Sequence, residues 1–344
     1  MSDSPIVSIV IPARDEEHVI AGCIQSLARQ SIGASRMEVV VVAAGSDQTG
    51  AVAKTEGEGR FGAFEVLQLD SGNKNAALQL GCRRARADVV VLLDADTEPE
   101  DGAIAELLRV MSNDTRSVVH GAASPRVVTW ISRYWELNRR LVKDLDFDGN
   151  LSGEFVALLR QALPAAELPQ LFPADVSAQD DLYLGRTLRQ RGWRIVYAPQ
   201  ARATTLVPWT LRGLMTTMLR SRRGLMRLLP LWDAASQAAK SAVLVAAFPL
   251  AMLAWRRSDV LALMCLAPLL VHAVATGRKV VNLHRRGLGD FRAMLPAFVC
   301  LDLIGRSCKL WAFLERIVGY TSPVPFRGQR PAVGRSPGPA LRRA

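Results

Sequence analysis

The stretch ADVVVLLDAD, residues 87–96, decides the fold of this chain. An apolar run from Val89 to Leu93 ends in two carboxylates one residue apart, Asp94 and Asp96. A strand buried on both faces of a parallel sheet reads as such a continuous run, and open α/β sheets bind ligands at the carboxyl ends of their strands. Asp94 and Asp96 are therefore expected at the rim of a sheet, where a divalent cation and a phosphate-bearing substrate meet. Mg²⁺ and Mn²⁺ prefer oxygen ligands, and Mg²⁺ is commonly held by one or two carboxylates plus substrate phosphates. The alternative is a solvated Asp pair in a turn, and the surrounding sequence weighs against it.

Working outward, residues 1 to about 120 alternate strand and helix patterns, which predicts a parallel sheet with crossover helices. Strands are expected at Val7–Ile11, Val39–Val42, Phe64–Leu69 and Asp88–Leu93. Between them, Glu16–Arg29 places Val19, Ile20, Ile24 and Leu27 on one helical face, and Asn73–Arg86 reads as a further helix. A helix from about Pro99 runs to Met111, and a Trp- and Arg-rich helix covers Trp130–Asp144. Next come a segment holding Gly153 and Arg160, a helix headed by Asp180–Asp181 and reaching Arg191, and a strand at Trp193–Tyr197.

Composition narrows the class. The 344 residues are 49% apolar with a net charge of +11, and the mean hydropathy of +0.13 is high for a soluble protein. Positive charge gathers at residues 202–227, 278–286 and in the tail, beside apolar spans. That arrangement fits an anionic membrane surface, and nothing in the chain carries a nucleic-acid signature. Cys23, Cys82, Cys265, Cys300 and Cys308 show no CxxC spacing and the chain has four histidines, so neither a zinc site nor a disulfide framework is indicated. The opening MSDSPIVSIVIPARDEE has no basic n-region and too short an apolar core for a signal peptide, which places the N-terminal domain in the cytoplasm.

After residue 230 the character changes. Residues 241–255 are uncharged, and extension back to Ala234 reaches spanning length while including Lys240; Val260–Gly277 is a second uncharged run. Joined by Arg256, Arg257, Ser258 and Asp259, they predict a helical hairpin in a membrane, with buried helices of a soluble core as the alternative. Residues 291–316 are apolar but carry Asp302, Arg306 and Lys309 on one stripe, which suits an interfacial helix better than a third, bundle-facing span. Arg220, Arg222, Arg223, Arg227, Arg278, Lys279, Arg285 and Arg286 look cytoplasmic, so Arg256–Arg257 would face outward, against the positive-inside bias. A re-entrant hairpin would remove that conflict. Residues 321–344, rich in Pro, Gly and Arg, read as a disordered basic tail.

Four segments, VSIVIPARDEEHVIAGCIQSLARQS, GNKNAALQLG, VVVLLDADTEPE and DDLYLGRTLRQRGWRIVYAP, occur in the order and spacing of one family. Over roughly the first two hundred positions the chain resembles the family 2 glycosyltransferases, inverting enzymes with a GT-A fold. The resemblance implies an α/β, Rossmann-like nucleotide-diphospho-sugar transferase domain, here followed by C-terminal membrane helices. It places Pro12, Asp15 and Glu16 in the first nucleotide-contacting loop, with Ala13 beside them, and Lys74 at the diphosphate. Asp94 and Asp96 match the metal motif, with Asp96 the better direct ligand and Mg²⁺ or Mn²⁺ as the cofactor. Asp180–Asp181 stands where the family has Glu-Asp, making Asp181 the general base that deprotonates an acceptor hydroxyl. Read without the family, Glu16 is a helix-start charge, Lys74 a solvated lysine and Asp180 a helix cap.

Two departures matter. The family's Asp-Asp-Gly-Ser after the second strand is Ala43–Ala44–Gly45–Ser46 here, with Asp47 following as the nearest carboxylate for the nucleotide. The Gln-x-x-Arg-Trp motif of processive synthases is replaced by MLRSRRG, Met218–Gly224, whose Arg220, Arg222 and Arg223 suit a diphosphate clamp or lipid headgroups equally. The expected division is 1–205 catalytic, 206–230 basic interfacial, 231–320 membrane and 321–344 tail. The expected activity is metal-dependent transfer of one sugar from a nucleotide-diphosphate sugar to a lipid or lipid-linked acceptor. It is placed at the cytoplasmic face of the cell (inner) membrane, with no nucleic acid as partner. A processive polysaccharide synthase and a non-catalytic nucleotide- or glycolipid-binding membrane scaffold are the alternatives.

Overall fold

The computed structural model describes residues 5–319 apart from 71–72, 113–115, 146, 148 and 177; the expected tail at 321–344 lies outside the described residues. The chain runs β1 (Val7–Arg14), α1 (Ile20–Ala28), β2 (Met37–Ala44), α2 (Thr49–Gly57), β3 (Ala63–Leu69), α3 (Lys74–Arg84), β4 (Val89–Leu93), β5 (Thr97–Pro99) and α4 (Ala103–Ser112). It continues through β6 (Ser117–Pro125), α5 (Trp130–Lys143), β7 (Phe155–Leu159), α6 (Leu168–Leu171), α7 (Asp180–Gln190) and β8 (Arg194–Thr205). Four long helices follow: α8 (Leu211–Leu228), α9 (Leu231–Trp255), α10 (Asp259–Arg285) and α11 (Leu295–Ile317).

One eight-stranded sheet has the order β3-β2-β1-β4-β7-β6-β8-β5. The expected parallel half is present, with β1 paired to β2 and β4, and β2 to β3. Beyond β4 the sheet becomes mixed: β7 runs antiparallel to β4 and β6, β6 parallel to β8, and β5 antiparallel to β8. The Val/Ile/Leu strands β1, β2 and β4 are buried along most of their length, as a sheet covered on both faces requires. Adjacent β1 and β4 lead their crossovers to opposite sides, so their carboxyl ends open a crevice at the switch in strand order.

α5 lies between the sheet domain and the long helices. Its Ile131, Tyr134, Leu137 and Leu141 pack with Leu214 and Met218 of α8, Val280 and Leu283 of α10, and Phe298 and Leu301 of α11. Among the described residues, only α9 and α10 are long and apolar enough to cross a membrane. Their apolar side chains Phe248, Met252, Leu253, Leu263, Met264, Leu270 and Val271 are all exposed. The polar stripe of α11 turns inward instead of toward water: Asp302 meets His272 of α10 at 3.0 Å, and Lys309 donates to Gln237 of α9 at 3.2 Å. The stripe on which an interfacial helix was expected from sequence thus packs against α9 and α10.

Candidate active site

The end of β1 supplies the first wall. Pro12, Ala13, Arg14 and Glu16 line a cavity of about 300 Å³, and Ala44 at the end of β2 lies beside them. Glu16 is buried and its backbone N–H donates to Thr49 Oγ1 at 2.8 Å; α1 begins only at Ile20, so Glu16 is not a charge on a helical first turn. Asp15, backbone φ 50°, does not line the cavity; its carboxylate accepts from the Ser46 N–H at 3.0 Å. Gly45, φ 102°, leaves no room for a Cβ against that carboxylate. Asp47 likewise stays outside, accepting from Thr49 N–H (3.0 Å), Thr49 Oγ1 (2.6 Å) and Glu17 N–H (3.0 Å). Burial works against its charge, but those hydrogen bonds outweigh it and hold the carboxyl below the usual range. Asp15 and Asp47 thus brace the turn between the ends of β1 and β2, beside the cavity and not in its lining.

The second wall is the end of β4. Asp94, Ala95 and Asp96 reach the cavity with Gly153 and Glu154, whose backbone carbonyl accepts from Asp94 N–H at 3.0 Å. Lys74, the first residue of α3, places Nζ 2.7 Å from Asp94 and 3.5 Å from Asp180. It is therefore part of the site rather than a solvated helix-start lysine. α3 is fixed there by Asn73 donating to the Ala174 carbonyl (2.8 Å) and Asn75 donating to those of Pro173 (2.7 Å) and Val176 (2.8 Å). Burial opposes the Lys74 charge, but Asp94 and Asp180 overcome it and raise its proton affinity. Burial pushes Asp94 above the ordinary carboxylate range against the pull of Lys74, and Asp96 and Glu154 add to the rise.

α7 closes the third side. Gln179 precedes it in the left-handed region, φ 63°, held by its Nε2 donating to Ser221 Oγ of α8 at 2.8 Å. Gly224 of α8 fits against Ala178, where a Cβ would lie 2.7 Å from the backbone oxygen. Asp15 and Gln179 are the non-glycine residues with positive φ among those described, and both flank the cavity; strain of this kind gathers at functional sites. Asp180 does not cap α7, since its carboxylate is turned to Lys74. Asp181 faces the cavity, and burial, then Asp180 and Glu154, push its carboxyl up to about 7. Thr217, Arg220 and Ser221 of α8 and Trp135 of α5 complete the lining. Arg222 and Arg223 do not reach it; Arg223 instead donates to Glu315 of α11 at 2.7 and 2.5 Å. Of the three arginines expected at a diphosphate or at lipid headgroups, only Arg220 lines the cavity.

Gly153 is a sensitive point that the sequence alone leaves unmarked. A Cβ there would stand 2.9 Å from Asp181 Cβ, closer than such atoms pack. Gly153→Ala is expected to shift Asp181 and lower kcat at least tenfold, about 1.4 kcal/mol of barrier, with unfolding temperature little changed. Wild-type kcat in a Gly153→Ala protein of normal stability would show that Asp181 is not placed by this contact. Glu154, Arg14, Gln179 and Ser221 also belong to the site without a sequence signal, because each depends on a contact between segments far apart in the chain.

Asp94 and Asp96 suit a hard dication. They offer only oxygen donors, and Asp94 is raised by burial and by Asp96, a crowding of carboxylates that a bound cation relieves. Among the described residues no group of three or more His, Cys, Asp or Glu side chains is arranged to hold a metal ion.

The glycosyltransferase-like family 2 model matches residues 4–224. This chain belongs to glycosyltransferase family 2. An N-acetylglucosaminyltransferase of Bradyrhizobium diazoefficiens is 28% identical over 244 residues, 65% of this chain and 49% of that protein. A probable glycosyltransferase of Bacillus subtilis, YdaM, is 30% identical over 122 residues, 34% of this chain and 29% of that one. The family 2 chain described here spans about half the length of the curated relatives it matches. Its fold is shared with a mannosyltransferase from Pyrobaculum calidifontis solved in complex with GDP-Man and Mn²⁺ (TM-score 0.54, 20% identity, covering 90% of this chain and 88% of the other). The domain is thus GT-A, as its sequence motifs imply.

Proposed function

We propose that this protein is a metal-dependent, inverting glycosyltransferase that moves one sugar from a nucleotide-diphosphate sugar to a lipid or lipid-linked acceptor. The observation that carries the reading is the convergence of Lys74, Asp94, Asp96, Asp180 and Asp181 in one cavity at the β1/β4 crevice. Lys74 and Arg220 supply positive charge for the diphosphate, and Lys74 is held ready by Asp94 and Asp180. Asp94 and Asp96 would hold Mg²⁺ or Mn²⁺, which when bound supplies Lewis-acid stabilisation of the departing diphosphate. Asp181 takes the proton of the acceptor hydroxyl as that oxygen attacks the anomeric carbon opposite the leaving group. A single displacement inverts the anomeric centre. The names of the relatives favour N-acetylglucosamine as the sugar, and the Pyrobaculum enzyme's GDP-Man makes mannose the second candidate.

An apolar rim supports the lipid acceptor. Val128 and Trp130 at the start of α5 and Leu211 and Met215 at the start of α8 are exposed. Thr129 Oγ1 donates to the Trp209 carbonyl at 3.3 Å, which brings the two helix starts together. Trp135 and Thr217, further along the same helices, line the cavity. On this reading α9 and α10 attach the protein to the cell membrane, with the 1–205 catalytic domain on its cytoplasmic side. The α9 helix, 25 residues, is about 37 Å long against a hydrocarbon core of about 30 Å. Its exposed Trp232 and Trp255 lie about 34 Å apart, the spacing of the two aromatic belts. These lengths favour a hairpin that crosses fully over a re-entrant one, with Arg256–Arg257 on the far side.

The test is incubation of membranes carrying the protein with radiolabelled UDP- and GDP-sugars, UDP-N-acetylglucosamine and GDP-mannose among them, plus Mn²⁺, followed by organic extraction. Label in the lipid phase from one donor is the expected result. Label confined to insoluble polymer would establish the synthase instead, and nucleotide binding without transfer from any donor would establish the scaffold.

A further inference from the structure

α8 has a second polar face that the cavity does not use. Arg223 on that face is engaged by Glu315. Arg222 is not matched in the same way: its buried Nε has no hydrogen-bond partner among the described residues. α8 and α11 run side by side there: Met218, one turn before Arg222, packs on Gly305, and Arg223 pairs with Glu315, so Arg222 lies along the stretch of α11 that holds Arg306 and Lys309. Burial, with Arg222 and Arg306 beside it, pulls the Lys309 ammonium below its usual value. The neighbouring carboxylate, Asp302, is already shared between Arg306 at 2.8 Å and His272 at 3.0 Å, and Lys309 finds only the neutral Gln237. Arg222, Arg306 and Lys309 therefore gather at a partly buried helix junction where Asp302, the carboxylate there, is engaged by Arg306 and His272. Excess buried charge of one sign is costly, and an anion with several acceptor oxygens would complete the arrangement.

Depth points to the source of that anion. Gln237 lies roughly 27 Å of helix from Trp255 at the hairpin tip, close to the thickness of the hydrocarbon core. With the tip at one face of a bilayer, Gln237 stands at the inner edge of the other leaflet's headgroup region, and the long Lys309 side chain beside it can reach toward the phosphates there.

We infer that Arg222, Arg306 and Lys309 form a phosphate site between α8, α9 and α11 that takes the phosphate of a lipid headgroup. The inference rests on the membrane reading given above and is independent of the transfer chemistry. Two guanidinium forks suit phosphate oxygens, with Lys309 as a point charge and Gln237 as a neutral donor at the edge. The site is separate from the cavity, although both use α8.

The full chain in a neutral maltoside detergent, titrated with phosphatidylglycerol and followed by native mass spectrometry, tests this. One lipid should be retained, and the Arg222→Gln/Lys309→Gln double variant should bind it at least tenfold more weakly. Arg306 is left in place because it holds Asp302. Without lipid the double variant should unfold at the same or a higher temperature than wild type, since like-charge repulsion has been relieved; this separates loss of the site from loss of the fold. Inorganic phosphate at matched concentration is the second arm. Protection by phosphatidylglycerol alone assigns the headgroup, whereas equal protection by inorganic phosphate overturns the lipid assignment. Equal lipid affinity in wild type and double variant overturns the site itself. Binding is the readout, so a protein that transfers no sugar would still report it.

Discussion

Asp181→Asn should reduce sugar transfer about a thousandfold while leaving nucleotide affinity within a few-fold of wild type. A positioned general base contributes roughly 10²–10⁴ in rate, and the amide is nearly isosteric but cannot accept the acceptor's proton. Donor binding is expected to survive because Lys74 and Asp94 reach the cavity from α3 and β4, not from α7. The pH dependence gives an independent check. Burial, Asp180 and Glu154 push Asp181 up to about 7, so its basic form is lost as pH falls through that value. In kcat/KM, which reports the free enzyme, an acidic limb near neutrality is expected, with activity rising toward alkaline pH. Asp180→Asn removes the nearer like charge and should move that limb to lower pH. An Asp181→Asn enzyme with substantial turnover, or a limb that ignores Asp180, would show that the base is another group.

Asp96→Ala should abolish the metal dependence of nucleotide binding, with a loss of at least a hundredfold in affinity measured calorimetrically in Mn²⁺. Asp96 is 3% exposed, and its Oδ1 accepts from Thr205 Oγ1 at 3.3 Å, an anchor reaching across from β8. A hundredfold corresponds to about 2.7 kcal/mol, reasonable for one charged oxygen ligand removed from a crowded site. Affinity in EDTA should be nearly the same for variant and wild type, because the groups left on the diphosphate are Lys74 and Arg220. If Mn²⁺ strengthens nucleotide binding as much in Asp96→Ala as in wild type, Asp96 is not a ligand.

The parallel half of the sheet is legible because burial on both faces leaves a simple trace: VVVLL and VVVV can hardly be anything else once short crossovers flank them. The mixed half is legible only at β8, expected over Trp193–Tyr197 and found at Arg194–Thr205. β5 is three residues long, and β6 contains His120 and Gly121, so neither shows a period of its own. α2, with Thr49, Gly50, Lys54 and Gly57, has almost no apolar face and is held by the turn that Asp47 organises. Asp94, Asp96 and Lys74, singled out by residue type and by their place at a strand end or helix start, all line the cavity. Asp15 and Asp47 do not, because a carboxylate in a tight turn is engaged by nearby backbone N–H donors. Arg222 and Arg223 follow Arg220 within one helical turn, and only the packing of α11 tells which of them faces the cavity.

α8 has one further consequence. The same helix supplies part of the cavity lining through Thr217, Arg220 and Ser221, steadies Gln179 ahead of Asp180 and Asp181, and receives Arg316 of α11 on its final carbonyls at Met226 and Leu229. α8 is thus a shared beam: one side of it walls the cavity while its far end is tied to α11. A shift of α11 along that beam would reach Gln179 and the head of α7 without passing through the sheet.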